Sequence, residues 1–247
     1  MYRNINKKIF HVVSIIIIVF FIVFVAGMLV LRYQVEGESN MPFNIAKISI
    51  IESVEGIENK DTTETWNFNV NENNDIYIYI EKNSEYGKTE LIESVKISNI
   101  IINKKSKLGE VRFYKPTADE KRMFNSTKEN EVNEIIYNGE LSSNIKELKI
   151  SNQGGIVAFR YAINNLAKYT SQDNEEIDHS KLLKLTNVKN EDIETKISFN
   201  IEIYLKSGKK YQATIEQEIL PNDIIEKGTT WTEKTDLDNI VFKRVEN

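Results

Sequence analysis

Two hydrophobic patterns divide the chain. Near the N-terminus the run "SIIIIVFFIVFVAGMLVL" is apolar without interruption, and no charged residue lies between Lys8 and Arg32 when His11 is neutral. From about residue 42 onward, apolar and polar residues mostly alternate with a period of two. A long apolar run predicts a helix in a membrane, and a period of two predicts β-strands. We therefore expect an N-terminal transmembrane helix followed by a mainly β region.

The apolar run is long enough to remain in the protein as a signal-anchor. A helix crosses about 30 Å of hydrocarbon with roughly 20 residues, whereas the apolar core of a cleaved signal peptide usually has about 7 to 15. We predict an uncleaved anchor over residues 12–31, with a cleaved export signal as the alternative. Arg3, Lys7 and Lys8 precede the run, and because basic residues resist translocation, the tail (residues 1–11) should be cytoplasmic. The C-terminal region of this single-pass cell-membrane protein should then be extracytoplasmic.

The alternating region predicts three β-hairpins. The first has "NENND" as its loop and places these apolar residues on one face: Trp66, Phe68 and Val70 opposite Ile80, Ile78 and Ile76. The second has a two-residue turn at Gly154 and Gly155, with these pairs: Ile150 opposite Phe159 and Leu148 opposite Tyr161. The third has an odd-numbered loop at "SGK" or slightly longer, because an even loop would mix the faces. Its pairs are Leu205 with Tyr211, Ile203 with Ala213 and Ile201 with Ile215.

Further strands and a few short helices complete the prediction. The strands are expected at Ile45–Glu52, Val95–Asn103, Val111–Tyr114 and near Ile240–Phe242, and short helices at "PTADEKRMF" and "HSKLLKL". The polar stretch "FNSTKENEVNE" is the candidate boundary between a first β module, residues 42–125, and a second, residues 132–247. The fold class is therefore one or two antiparallel β-sandwich-like modules, and a single larger sandwich remains open.

Composition argues against several kinds of chemistry. The chain has no cysteine, and of its two histidines only His179 lies beyond the anchor. The absence of cysteine excludes thiolate catalysis. The sequence also has no Gly-x-Ser-x-Gly motif, whose serine would be the nucleophile of a Ser-His-acid site that used His179. The first 41 residues carry +2, and subtracting this from the whole-chain −5 leaves −7 for the rest. An acidic surface without basic clusters argues against nucleic-acid binding. We predict a protein that is not an enzyme and has no cofactor.

Two acidic stretches are the candidates for metal binding. Both "NENND" and "DNEEIDH" place carboxylates and amides close together, as calcium requires. Neither has the twelve-residue loop with glycine at position six and a carboxylate at position twelve. We therefore predict solvated acidic loops and no metal site.

Two surfaces are candidates for binding. Tyr77 and Tyr79 share a strand face with asparagines of the same hairpin, and aromatic rings beside amides can bind a sugar or a peptide. The alternative is that this face packs under a neighbouring sheet. In the second hairpin, Lys149 lies opposite Arg160, an unfavourable pair unless Glu147 or an external anion lies between them.

The phrases "NQGGIVAFRY", "LPNDIIEKGTT" and "IVFKR", with the short basic tail and the single span, resemble uncharacterised single-pass membrane proteins of low-GC Gram-positive bacteria such as clostridia. The resemblance covers most of the chain. It implies a location in the cell envelope and brings no known activity, ligand or catalytic residue.

These observations favour a membrane-anchored, non-enzymatic module that binds or organises other envelope proteins. A module that binds a glycan or peptide is the alternative, and the identity of any small-molecule ligand stays open. A pilin-like subunit is less favoured, because "NKKIFHVVS" has neither the glycine before the apolar run nor the glutamate just inside it that pilins share.

Overall fold

The computed structural model of the protein describes residues 13, 15–28, 41–59, 65–172, 177–221, 223–237 and 240–245. Within these ranges the predominant element is the β-strand, as predicted. The strands are β1 (Phe43–Asn59), β2 (Thr65–Lys82), β3 (Ile92–Lys104), β4 (Glu110–Tyr114), β5 (Ile135–Glu140), β6 (Lys149–Ser151), β7 (Gly155–Gln172), β8 (Thr195–Leu205), β9 (Lys210–Ile219), β10 (Thr229–Lys234) and β11 (Lys243–Val245). The α-helices are α1 (15–28), α2 (Leu182–Leu185), α3 (Asn190–Ile193) and α4 (Ile224–Lys227), and 3₁₀ turns occur at Lys128–Asn130, Ile145–Glu147 and His179–Lys181.

The strands form two sheets. The five-stranded sheet has the order β10-β1-β2-β7-β4, and the six-stranded sheet has the order β11-β9-β8-β3-β5-β6. All paired strands are antiparallel except β5 and β6, which are parallel. Strands from both predicted modules, 42–125 and 132–247, occur in each sheet. The predicted boundary therefore does not separate the strands of one sheet from those of the other.

The two sheets pack face to face around one continuous apolar core. Phe159 of β7 and Phe199 of β8 meet edge to face with ring centroids 5.1 Å apart. The Tyr137 hydroxyl of β5 donates to the Ala158 carbonyl of β7 at 2.7 Å and accepts from the Ala158 amide at 3.1 Å. β4 pairs with β7 only from Arg160 onward, so the backbone of Ala158 has no strand partner on that edge of β7. The Tyr137 hydroxyl hydrogen-bonds to these backbone groups instead.

The third predicted hairpin is confirmed in its strands and faces, with a shift in register. β8 and β9 pair around a turn at residues 206–209, and Ile203 lies opposite Tyr211. The prediction paired Tyr211 with Leu205, two residues further along. A shift of two keeps every apolar side chain on its face, so the period-two pattern alone cannot distinguish the two registers.

The first predicted hairpin is wrong. Residues 65–82 form one uninterrupted strand, β2, which pairs with β1 along one edge and with β7 along the other. The stretch "NENND" is therefore the centre of a strand, and all five of its side chains are buried. A polar run can occupy this position because partners elsewhere in the chain hydrogen-bond to several of its side chains.

The second predicted hairpin is also wrong. β6 pairs with β5 in the six-stranded sheet, whereas β7 belongs to the five-stranded sheet. The residues between them carry the chain from one sheet to the other. Of the two glycines only Gly154 has a positive φ, 113°, and a Cβ at this position would lie 2.6 Å from the Ile80 carbonyl oxygen. The glycine is thus required for a crossover and not for a hairpin turn.

Of the remaining local predictions, three strands and one helix are confirmed. β1, β3 and β4 contain the predicted segments, and the final strand, β11, begins just after Ile240–Phe242. The segment "HSKLLKL" forms a 3₁₀ turn followed by α2. The helix expected at "PTADEKRMF" is absent from this described segment: Thr117 accepts a hydrogen bond from the Asp119 amide at 3.3 Å, and Pro116 bridges to Phe124. The segment is therefore a loop closed between Pro116 and Phe124, and the Thr117 amide donates to the Met123 carbonyl across it at 2.9 Å.

Residues 15–28 are helical, and their large apolar side chains are exposed. Among the helices in the described residues, none combines the length and the apolar character needed to cross a membrane. The predicted cytoplasmic tail, residues 1–11, lies outside the described residues, as do residues 12, 14 and 29–31 of the predicted anchor.

Candidate functional site

The polar run at residues 71–75 supplies side chains to both faces of the five-stranded sheet. Successive side chains of a strand point to opposite faces. Asn71, Asn73 and Asp75 therefore point to the outer face, away from the other sheet, whereas Glu72 and Asn74 point into the space between the sheets. Two polar clusters result, one on each face.

A buried ion pair forms the centre of the outer cluster. Asp75 and Arg160 are cross-strand partners, and the guanidinium contacts the carboxylate twice, Nε to Oδ1 at 2.6 Å and Nη2 to Oδ2 at 3.0 Å. Each residue is only 9% exposed. Burial raises the pKa of the Asp75 carboxyl, and the Arg160 guanidinium opposes that rise. The fork-like contact fixes both side chains in one orientation.

Polar side chains from the loop that follows β4 extend this cluster toward solvent. Ser126 accepts from Arg160 Nη1 at 3.3 Å and donates to the Asn73 side-chain oxygen at 3.4 Å. Asn73 in turn donates to Glu55 of β1 at 3.2 Å, and Glu55 pairs with the exposed Arg122 at 3.0 Å. We call these six residues the Arg160 cluster: Glu55, Asn73, Asp75, Arg122, Ser126 and Arg160.

Aromatic rings cover the buried end of the Arg160 cluster. The Phe124 ring lies over the Arg160 guanidinium at 5.2 Å and meets the Tyr77 ring edge to face at 6.3 Å. Burial raises the pKa of Tyr77 to about 12, and the Asp75 charge adds to the rise. Tyr77 is therefore neutral at physiological pH and can donate a hydrogen bond.

The Arg160 cluster borders an open pocket of about 360 Å³. Its lining is Ser53, Val54, Glu55, Asn73, Asp75, Arg122, Met123, Phe124 and Arg160. Glu55 and Arg122 are its more exposed charges, whereas Asp75 and Arg160 neutralise each other at its floor. Such a pocket suits a ligand that carries groups of both signs, because each exposed charge could exchange its partner for the ligand.

The inner cluster contains two buried carboxylates. Glu72 is 1% exposed and accepts a hydrogen bond from the Asn74 amide at 3.2 Å. Glu52 of β1 is the cross-strand partner of Asn74 and accepts from Thr230 at 2.8 Å. Burial raises the pKa of Glu72 to about 8, against the effect of Asn74 and with a further contribution from Glu52. Burial also raises the pKa of Glu52.

Two hydroxyl groups complete the inner cluster. Tyr161 of β7 is the other cross-strand partner of Asn74, and Thr195 begins β8 in the opposite sheet. Burial raises the pKa of Tyr161; the nearby Thr195 hydroxyl lowers it, and the Glu72 charge raises it further. The two hydroxyls are close, but neither meets the geometry of a hydrogen bond. We call the following five residues the Glu72 cluster: Glu52, Glu72, Asn74, Tyr161 and Thr195.

The structure divides the five binding residues proposed from the sequence among three places. Arg160 and Tyr77 both contact Phe124. Tyr79 instead lies beside Lys47, whose ammonium is 4.5 Å from the ring centre. The predicted position of Lys149 opposite Arg160 is wrong, because the two residues belong to different sheets.

Lys149 has the acidic partner that the sequence suggested. Its ammonium lies 2.8 Å from Glu147, and both side chains are substantially exposed to solvent. Hydrogen bonding to Glu147 raises the pKa of Lys149. The pair is a surface contact on the six-stranded sheet and has no contact with the Arg160 cluster among the described interactions.

The partners of Arg160 were not predictable from hairpin reasoning. Asp75 lies 85 residues away in sequence, and Ser126 belongs to "FNSTKENEVNE", the candidate module boundary. The available signal was the pattern on both sides of "NENND": the alternating apolar residues are even-numbered before this stretch and even-numbered after it. This continuous alternation is compatible with one long strand as well as with a hairpin.

His179, the histidine weighed as a catalytic residue, is exposed and packs its ring against Phe68 at 5.5 Å. Across the described part of the chain, no three histidine, cysteine, aspartate or glutamate side chains are grouped so that they could hold a metal ion.

Comparisons of the chain with protein-family models, characterised proteins and solved structures find no match.

Proposed function

We propose that the chain is a membrane-anchored, extracytoplasmic protein whose β region binds another protein of the cell envelope through the outer face of the five-stranded sheet. The anchor is supported by the uncharged run between Lys8 and Arg32 and by the helical conformation of residues 15–28 with exposed apolar side chains. The basic residues before the run support an N-terminus in the cytoplasm.

One row of side chains on the outer face carries the binding proposal. Trp231, Ile51, Asp75 and Arg160 are successive cross-strand neighbours across four strands, so their side chains share this face. Trp231 is 64% exposed and Ile51 is 37% exposed. Tryptophan is enriched at the centres of protein interfaces and charged residues at their rims, so an exposed tryptophan and isoleucine beside the Arg160 cluster support a binding surface on this face.

A non-enzymatic role is consistent with the Arg160 cluster. Its charged side chains are bound to each other: Asp75 to Arg160, and Glu55 to Arg122. A catalytic acid or base must be available to exchange a proton with a substrate. A paired, hydrogen-bonded network is suited instead to holding a binding surface in shape.

Crosslinking in native membranes tests the proposed partner surface. A photoreactive amino acid in place of Trp231 should crosslink to a discrete envelope protein, and one in place of Leu141, which is 91% exposed in a turn outside the five-stranded sheet, should not. Equal yields of the same product from both positions, or no product from Trp231, would contradict an interface on this face.

Topology is tested separately. Protease added to wall-stripped intact cells should degrade the β region while a tag at the N-terminus stays protected. Complete protection of the β region would refute an extracytoplasmic location.

Binding of a glycan or peptide is the second candidate function. The pocket of about 360 Å³, with both signs of charge and with Phe124 in its lining, favours a small polar ligand. The purified full chain in detergent should then be retained on cell-wall material and lose retention in Arg122→Ala. Retention that is independent of Arg122 would exclude this pocket.

A further inference from the structure

The Glu72 cluster concentrates unpartnered oxygen atoms in the protein interior. Four of its side-chain oxygens are buried without a hydrogen-bond partner: Glu72 Oε2, Asn74 Oδ1, Tyr161 Oη and Thr195 Oγ1. All five residues of the cluster are at most 2% exposed. Buried polar atoms are nearly always paired, and an unpaired one destabilises the folded state. Four such atoms in neighbouring side chains need a common explanation.

The strand pairing shows that these side chains are neighbours. Asn74 lies between Glu52 on β1 and Tyr161 on β7 as the cross-strand partner of both. Glu72 is two residues away on the same face and is hydrogen-bonded to Asn74. Thr195 approaches from β8, so the oxygens come from four strands in both sheets. Elements with fixed registers therefore hold the cluster in place.

We propose that the Glu72 cluster is a calcium site between the two sheets. Calcium takes oxygen ligands from carboxylates and side-chain carbonyls, and its coordination is flexible. Glu52 and Glu72 supply two negative charges for a divalent ion, and Asn74, Tyr161 and Thr195 supply neutral oxygens. The stretch "NENND" thus contributes two of the ligands, and the others come from three other strands, whereas a calcium-binding loop supplies its ligands from one segment of twelve residues.

The charge of the cluster favours a cation over a water molecule. The side chains that hydrogen-bond to the two carboxylates, Asn74 and Thr230, are both neutral. Two ionised carboxylates in a low-dielectric interior would repel each other and lose their hydration, so both can be ionised together only with a compensating positive charge. A bridging water could satisfy hydrogen bonds but would not supply that charge.

Because the ligands are almost completely buried, calcium should enter during folding. The full chain, in detergent micelles, would be unfolded in urea with EDTA and refolded in either CaCl2 or EDTA. After removal of unbound ion, we expect one calcium per chain in the first sample. At free calcium about 100-fold above Kd, the melting temperature should rise by about 5–10 °C.

Three variants test whether the Glu72 cluster holds the ion. Glu72→Gln keeps the shape and removes one charge, and it should weaken calcium affinity at least about 10-fold. Thr195→Val, which removes one neutral oxygen, should weaken affinity less. Glu93→Gln alters an exposed glutamate on β3 and should bind calcium like the original chain. Far-UV circular dichroism confirms that each variant is folded before binding is compared.

The outcomes separate the alternatives. Absence of bound calcium in the folded original chain at millimolar CaCl2 would overturn the proposal. Unchanged affinity in folded Glu72→Gln would place any bound calcium elsewhere and would also overturn it. A stabilisation produced equally by NaCl or MgCl2 would exclude a calcium site. The proposal does not rest on the anchor or on the partner surface.

Discussion

The buried Asp75–Arg160 pair predicts a large loss of stability when one partner is removed. Arg160→Met keeps most of the side-chain volume and leaves the Asp75 carboxylate buried, at 9% exposure, without its two guanidinium contacts. Breaking a buried pair in this way usually costs about 3–5 kcal/mol, because an uncompensated charge remains. The loss of the guanidinium over the Phe124 ring should add about 0.5–1 kcal/mol.

A matched substitution, Arg112→Met on the same sheet, gives the reference for the loss of stability in Arg160→Met. Arg112 on β4 pairs with Glu110 at 2.9 Å and Glu131 at 3.1 Å, and its side chain is 44% exposed. Arg112→Met should lower the free energy of unfolding much less than Arg160→Met, because exposed ion pairs contribute little to stability. The contrast between the two arginines isolates the effect of burial from that of the substitution itself.

Urea unfolding of the full chain in detergent measures both values, with the slope m checked for constancy. The double variant Asp75→Leu with Arg160→Met removes both charges and should recover most of the loss, because apolar side chains can replace a buried pair at little cost. If Arg160→Met were no more destabilising than Arg112→Met, the pair would not be desolvated. The same conclusion would follow if the double variant were less stable than Arg160→Met alone.

Three further substitutions test other parts of the fold. Burial alone would raise the pKa of Glu202, but hydrogen bonds from Ser98, Lys210 and Tyr204 lower it to about 2. The stability that these hydrogen bonds give is therefore present above pH 4.5 and is lost as the pH falls toward 2. Glu202→Gln should cost about 1–3 kcal/mol at pH 7 in urea unfolding, and the difference in stability between the variant and the original chain should vanish near pH 2. Gly154→Ala should lower the melting temperature more than Gly208→Ala, because both glycines have positive φ but only the first would place its Cβ against a backbone oxygen, at 2.6 Å. Tyr137→Phe should cost about 1–3 kcal/mol, since two buried backbone groups on β7 lose their partner; equal stability would mean that water replaces the hydroxyl.

The sequence predicts which side chains face the core better than it predicts which strands pair. The alternation of apolar residues correctly identifies the inner faces of β2, β7, β8 and β9. This works because a strand that buries one face must alternate, wherever its neighbours come from. Pairing depends on contacts between distant segments, such as β2 with β7, and no local pattern specifies them.

The two incorrect hairpins have the same physical origin. Asparagine, aspartate and glycine favour turns when they occur in an isolated segment. At residues 71–75 this preference is overridden because distant residues supply hydrogen bonds: Asn71 accepts from the Asn165 amide, 94 residues away, and Asp75 binds Arg160, 85 residues away. At Gly154 the glycine serves a crossover between sheets. The candidate site was missed for this reason, since its residues come together only through these long-range contacts.

The Asp75–Arg160 pair also has a role in selecting the register of β2 against β7. The apolar residues on the inner faces are similar along both strands: Ile76 lies opposite Phe159 and Ile78 opposite Val157, and Ile80 and Tyr161 extend these faces. A slip of two residues would keep these faces apolar, which is the same ambiguity that displaced the predicted register of β8 and β9. On the outer face, however, the slip would place Asp75 opposite Ala158 or Ala162 and leave two buried charges apart. The cost of several kilocalories per mole for separating them disfavours the slipped register, so the polar run specifies a pairing that the apolar alternation leaves undetermined.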